Sequence, residues 1–443
     1  MIFHFARNPM AVYKLEDVFG VTSKPIRSYV EREDIDTRFR EALKSGKQVV
    51  VYGSSKQGKT ALVSKHLPYA DHLPVSLTPK TQLIDVYQQM LSAAGVRLIS
   101  GTTDKRSTDA SVGVSAKFKA LIPLFGSAEA ETKGDFKAGS GQEIKYEEIP
   151  VNLELPQTVA NLLDRVNCKK WVILENFHYL NDEIQRAFAF DLRAFQELGV
   201  RFVILGVWRE KNRMAQFNGD LLDRVIEVPV EPWVEADFRR VAEKGTRELN
   251  IEIHSALVNG AINASFSSIG VFQELLKGIC IEARVLEWQR MKRKIDNVDL
   301  LQRAIEVKTH DYAARHQRAL EAISAGHTTG GAKGDLPPLF LPYYLVQVIL
   351  QNGFDGIADG MHRTVLHEGI KAIHHRGDDV RSSDMTNLLG GLANLQAVKS
   401  ISPPIIDYDT QKRVLQVVDS TFYFFIKHVD AQEVAAEMLN PLS

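Results

Sequence analysis

The sequence predicts an α/β protein in which a parallel sheet precedes an all-α segment and a carboxy-terminal winged helix. Three observations predict it. Short apolar runs alternate with helical segments between Val49 and Val228, a glycine-rich loop of defined spacing joins the first run to a helix, and three helices precede a hairpin after residue 338.

The runs are QVVVY (48–52), HLPVSL (72–77), WVIL (171–174), FVIL (202–205) and VIEVPV (225–230). Strands that are apolar throughout and separated by helices belong to a parallel sheet covered on both faces. Between Gly101 and Gly141, ASVGVSAKFKA and SAEAETKGDF alternate in polarity around LIPLFG, which predicts a β-hairpin insertion into a core spanning 1–232. Residues 233–325 carry no convincing strand, and from about Asn297 to Ala325 they read as one long helix after an Asn cap, so this segment is expected to be a helical lid. GHTTGGAKGDLPP (326–338) combines flexible glycines with a Pro-Pro stop and reads as a linker. In 339–443, helices over 340–352, 361–375 and 384–398 precede IIDYD and RVLQVV around the turn Thr410-Gln411-Lys412, the plan of a winged helix. TFYFFIKHV closes that module as a helix or strand.

Bulk properties narrow the partners. The chain has 443 residues, 44% hydrophobic and 25% charged, which is too many for one core and suits two to four domains. A net charge of −1 provides no overall basic field for nucleic acid or anionic membranes. Cys168 and Cys280 lack Cys-x-x-Cys spacing, so both are expected to be buried thiols in a reducing compartment. The amino terminus has no secretory pattern and no run reaches ~18 apolar residues, which predicts a cytoplasmic chain without membrane spans.

GSSKQGKT (53–60) matches G-x-x-x-x-G-K-[ST] directly after QVVVY and before the helix-compatible TALVSKHL, the context a P-loop NTPase sheet requires. Chance supplies such a match about 0.015 times in a chain of this composition. The expected phosphate-binding set is Gly53, Ser54, Ser55, Lys56, Gln57, Gly58, Lys59, Thr60 and Ala61. Glycines let backbone N–H groups converge on phosphate oxygens at a helix amino end. Lys59 is expected on the β and γ phosphates of ATP, and Thr60 on Mg²⁺.

WVILENFHYL ends its strand in Glu175, the second candidate Mg²⁺ group, and in Asn176, whose amide cannot take a proton from an attacking water as a carboxylate can. Slow hydrolysis is therefore expected. RFVILGVWREKNR delivers Arg209 to the same crevice edge, where a guanidinium could sense the γ phosphate. Arg224, in GDLLDRVIEV, is placed like a residue that reaches a neighbouring subunit's nucleotide, and for both arginines the alternative is a surface salt bridge. His178 reads as a satisfied structural side chain, and His362, His367, His374 and His375, with Glu368 nearby, read as a solvated helix face rather than a metal site.

Together these segments resemble the AAA+ and STAND superfamily of ATPases, which includes NOD-like receptors, activators of the maltose-regulon type and origin-recognition initiators. The resemblance covers most of the chain. It rests on GSSKQGKT, on LENFHYL, which is similar to the LDDFHYL form of STAND proteins, and on the succession of core, lid and winged helix. It implies that Lys59 and Thr60 are Walker A ligands, Glu175 and Asn176 the Walker B pair, and Arg209 a sensor. It also implies that Arg32, in SYVEREDIDTRF (28–39), lies near the nucleotide, and that His178, otherwise read as a satisfied structural side chain, is adjacent to the switch. SSIGVFQELLKG (267–278) resembles the lid's helix-opening motif, with Val271 where STAND proteins usually have Pro.

The function expected from this is an ATP-binding conformational switch, in which nucleotide holds core, lid and winged helix in one arrangement and exchange or hydrolysis releases another. The chain has no room for the fused effector or sensor domains usual in STAND proteins, so a homo-oligomer or a complex with a separately encoded effector protein is expected, in signalling or antiviral defence. The alternative is a DNA-binding ATPase of initiator or transposition-regulator type. Its nucleic-acid surface would be 374–399 with Lys412 and Arg413, but helix 384–398 has almost no Lys or Arg, which is poor phosphate chemistry. Metabolic kinase chemistry fits the lid and wing less well.

Overall fold

The computed structural model describes residues 12–21, 26–100, 117–123, 146–326 and 336–442. After a short helix α1 (Leu15–Val18), α2 (Glu33–Lys44) leads into β1 (Gln48–Tyr52), and the glycine-rich loop opens α3 (Lys59–His66). Then come β2 (Leu73–Ser76), α4 (Leu83–Ala93), β3 (Arg97–Ser100), β4 (Lys117–Pro123), β5 (Tyr146–Asn152), α5 (Pro156–Arg165) and β6 (Val172–Glu175). The α/β part closes with α6 (Asp182–Glu197), β7 (Phe202–Gly206), α7 (Arg213–Phe217) and β8 (Val225–Pro229). All five apolar runs are strands of one parallel sheet in the order β2-β6-β7-β1-β8. Their uninterrupted Val, Ile and Leu content suits burial from both sides, and β1 is buried along its whole length.

In place of a hairpin confined to 101–141, the described residues form a three-stranded antiparallel sheet, β3-β4-β5, in which Leu121–Pro123 of LIPLFG continue β4 and the partner strands Arg97–Ser100 and Tyr146–Asn152 lie outside those bounds. Residues 101–116 and 124–145, which hold much of the alternating sequence, lie outside the described residues.

The lid contains α8 (Glu235–Leu249), β9 (Ile251–Ile253), α9 (Ser255–Ala264), α10 (Ile269–Glu282), β10 (Arg293–Ile295) and α11 (Asp299–Ser324). This corrects the strand-free expectation: β9 and β10 pair in parallel and bury Ile253 and Ile295. Three residues per strand are too few for alternation to register in sequence. The long helix forms as expected, with Asn297 Oδ1 accepting the Asp299 N–H at 3.0 Å. The amino-terminal α1 packs in the lid core, beside Phe238 and Phe272.

The last module comprises α12 (Leu341–Ile357), β11 (Met361–His362), α13 (Arg363–Ile373), α14 (Ser382–Gly390), α15 (Leu392–Val398), β12 (Ile406–Asp409), β13 (Val414–Val417), α16 (Ser420–His428) and α17 (Ala431–Glu437). Helices followed by the β12-β13 hairpin form the expected winged helix. The expected helix 384–398 is two helices that meet at Gly390-Gly391, and α12 breaks at Gly353. TFYFFIKHV is helical: Phe422 and Phe425 enter the winged-helix core while Phe424 enters the lid core. A helix apolar on all sides is stable only when wedged between two such cores. The carboxy-terminal part of α11, with Leu320 and Ile323, also joins the winged-helix core, so α11 links the two modules.

The histidines expected on a solvated face are mostly engaged. His374 is buried against the Leu339 carbonyl at 2.6 Å, His367 meets the Val380 carbonyl at 2.9 Å, and His375 contacts the Tyr344 hydroxyl at 2.9 Å. His362 caps α13. Cys280 is buried, which pushes its thiol up to about 12, whereas Cys168 is only partly buried. No helix among the described residues is long and apolar enough to cross a membrane.

Candidate functional site

The strand order decides what surrounds the loop after β1. Its neighbours are β7 and β8, so the segments leaving their carboxyl ends, Val207–Arg209 and Val230–Trp233, flank it. Ligands of open α/β sheets bind at that end. The loop backbone needs its glycines: a Cβ on Gly53 would lie 2.7 Å from Val230 Cγ2, and Gly58 holds φ 84° as it starts α3.

Lys59 is folded back into the loop and donates to the carbonyls of Gly53 at 3.0 Å and Ser54 at 2.6 Å. Burial lowers its ammonium to about 8, although Glu231 and Glu175 oppose that shift. The Ser54 N–H, one of the groups expected on phosphate, donates to Glu231 Oε2 at 2.7 Å. Arg209 joins them, with Nε 2.8 Å from Ser54 Oγ and Nη2 3.3 Å from Glu231 Oε1. A carboxylate of the protein thus meets both a loop amide and the Arg209 guanidinium. Glu231 was not legible as a site residue until the neighbouring strands were known.

Thr60 Oγ1 lies 3.4 Å from Glu175 Oε1, which also accepts a short hydrogen bond from the Tyr69 hydroxyl. One hydroxyl and one carboxylate side by side are a donor set that suits a hard cation such as Mg²⁺, which keeps water and phosphate for its other positions. Tyr69 is a second residue missed in the sequence.

A cavity of about 370 Å³ opens beside the loop, a size that suits a nucleotide. Its lining combines Ser55 to Ala61, Asn176 and His178 with the apolar side chains of Val21, Ile26, Val30, Trp233 and Ile269. An apolar slot next to an anion-binding loop fits a planar base joined to phosphates. The residues therefore fit the nucleotide that the motif implies.

Arg32 does not line this cavity. Its guanidinium stacks 3.8 Å over Trp233 and donates to the Val230 carbonyl at 2.8 Å, bracing the segment that carries Glu231. Arg224 lies at the opposite end of the sheet, where its carbonyl accepts the Gln48 N–H at 3.0 Å and its side chain pairs with Glu197 at 3.4 Å. The structure brings Lys59, Thr60, Glu175 and Arg209 together and leaves Arg224 apart from them. His178 also differs from the satisfied side chain expected: both ring nitrogens are buried without a partner among the described residues.

Two other modules reach the loop. From the lid, Gly270 donates its N–H to the Lys56 carbonyl at 3.0 Å, and a Cβ there would lie 2.7 Å from that oxygen. From the winged helix, the Val418 carbonyl accepts the Ser55 N–H at 2.8 Å, Asp419 Oδ1 accepts from Ser55 Oγ at 3.1 Å, and Ser420 Oγ donates to the Ser55 carbonyl at 3.0 Å. Gln57 donates to Ser420 Oγ at 3.2 Å, and Arg209 to the Tyr423 hydroxyl at 3.4 Å. Asp419 is fully buried; burial pushes its carboxyl up, but Arg315, His316 and Lys56 outweigh that and hold it below its ordinary value.

No protein-family model matches the chain, and no curated protein matches it. Among solved structures, a Walker-type ATPase of Pyrococcus abyssi is similar with a TM-score of 0.46 and 12% identity, covering 93% of this chain and 99% of that one. The ORC1 protein of Aeropyrum pernix, solved in complex with DNA, is similar with a TM-score of 0.43 and 12% identity, covering 96% of this chain and 97% of that one.

Proposed function

We propose that the chain is an ATP-operated switch of the AAA+ and STAND type, held in a closed arrangement in which the winged helix sits on the phosphate loop. One observation carries this reading: Val418, Asp419 and Ser420, at the start of α16, hydrogen-bond both the backbone and the side chain of Ser55. A loop N–H engaged by a carbonyl, and another engaged by Glu231, are not available to phosphate oxygens. Triphosphate binding and this closed seam then compete for the same donors, which gives nucleotide a differential affinity for two arrangements. The Walker B position with Glu175 but Asn176 favours a long-lived ATP state over rapid turnover. A separately encoded effector protein, or a second copy of this chain, reads the released winged helix; signalling and antiviral defence are the settings the resemblance implies.

The test measures ATP binding, and molecular mass and shape in solution with ATP, ADP and no nucleotide, for the wild type and Lys59→Ala. ATP should change the mass or shape of the wild type, and Lys59→Ala should lose both binding and the change. Unaltered ATP binding by Lys59→Ala would sink the switch. Salt-sensitive duplex binding by the full chain, strengthened by ATP, would favour the initiator reading instead. In the closed arrangement the tip of the wing is engaged by the sheet domain: Thr410 Oγ1 donates to Glu210 Oε1 at 3.1 Å.

A further inference from the structure

We propose that His178 orients the water that attacks the γ phosphate, in place of the acid that Asn176 replaces; the inference rests on the nucleotide reading above. The first observation is position. His178 lines the same cavity as Lys59, Thr60 and Asn176. Asn176 holds φ 63°, and the one-turn helix Phe177–Tyr179 follows directly after β6. Phe177 is fully buried between Phe188 and Trp208, at ring distances of 5.5 and 6.4 Å, which anchors the turn. The Tyr179 ring, 4.2 Å away, holds the imidazole edge-on.

The second observation is chemical. Both His178 nitrogens are buried and lack a hydrogen-bond partner among the described residues. Leaving a buried polar group without a partner is costly, and a catalytic role is one explanation for such a group in a native fold. Burial, Lys59 and Arg213 hold the ring neutral at ordinary pH, so one nitrogen offers a free lone pair. Both nitrogens are closed to solvent in this arrangement, so the water enters when nucleotide opens the cavity, and it then donates a hydrogen bond to that nitrogen.

The step balances without an added base. The water oxygen bonds to the γ phosphorus while the bond from that phosphorus to the β–γ bridging oxygen breaks, and ADP leaves with its electron pair. One water proton passes to a γ-phosphoryl oxygen, giving inorganic phosphate, and His178 ends unchanged. Phosphoryl transfer of this loose kind depends more on positioning than on proton removal.

The experiment uses the full chain and measures ATP affinity by displacement of a fluorescent ATP, together with single-turnover hydrolysis. His178→Ala should bind ATP within about threefold of wild type and lose roughly 100-fold in hydrolysis, the low end of what a positioned acceptor contributes. His178→Gln, which keeps an acceptor, should retain most of the rate. Asn176→Glu in the His178→Ala background should restore at least about tenfold by supplying a carboxylate. Wild-type hydrolysis by His178→Ala, equal loss of binding by both His178 variants, or a wild type that binds ATP without hydrolysing it would each overturn the inference alone. A wild type that does not bind ATP would remove the nucleotide reading and this inference with it.

Discussion

Lys59 carries an ammonium into a buried loop, and its lowered value of about 8 fixes how nucleotide affinity should depend on pH. Below about pH 8 the free protein already holds the proton, so affinity for ATP should be flat. Phosphate oxygens raise the ammonium again on binding. Above about pH 8 the free protein has lost the proton and binding must restore it, so the dissociation constant should rise by up to about tenfold per pH unit. Isothermal titration in buffers of different ionisation enthalpy, at pH 7 and pH 9, checks this through the protons taken up. Proton uptake that is zero at both values would refute it. Lys59, Thr60 and Glu175 were legible in the sequence because a fixed spacing on one loop and one strand end places them. Glu231 and Tyr69 were not, because they reach the site only through strand order and the path after α3.

At the scale of elements, the seam between the loop and the start of α16 joins residues 364 positions apart. Asp419→Ala should open it. The change removes acceptors for Ser55, Thr421 and Arg315, whose side chain is 35% exposed and so already partly solvated. A loss of about 1–3 kcal/mol for the closed arrangement follows, discounted for that exposure. Apparent ATP affinity should then tighten by about tenfold, since less of the protein is held in the form that excludes phosphate. Hydrogen exchange at Ser54 and Ser55 checks the cause: faster exchange without tighter binding would mean that the seam is only structural. The sign for acid follows from Asp419. Its lowered value means that its contribution is present above the ordinary carboxylate range and disappears as pH falls through the closed-state value. Local pattern revealed the sheet strands, as runs apolar throughout, and α11, as a long helical segment after an Asn cap. It did not reveal β9 and β10, which are too short, nor that α16 is wedged between two cores, because apolarity on every side of a helix does not name its neighbours.

For the whole molecule, the second hinge of the closed arrangement is the face between the sheet and the β12-β13 hairpin. Arg213 Nη1 lies 2.9 Å from Asp407 Oδ2, and both side chains are largely buried, at 12% and 16% exposure. Near it, Thr410 at the wing turn contacts Glu210. Arg213 also lies 5.3 Å over the Trp208 ring, and Trp208 packs on the Phe177 that anchors the turn after β6. The pair therefore stands between the nucleotide wall and the wing. A buried pair contributes little when intact but costs about 3–5 kcal/mol when one member is removed or reversed. Arg213→Asp should therefore release the wing without nucleotide, giving a larger radius of gyration by small-angle scattering and faster protease cleavage in the carboxy-terminal module. Reversing both charges, in Arg213→Asp/Asp407→Arg, should restore part of the closed form, because the attraction returns while the longer guanidinium side chain overfills the space that Asp407 occupies. If the single variant keeps the wild-type scattering profile, the wing is fixed by its apolar contacts and the switch must act through the α16 seam alone.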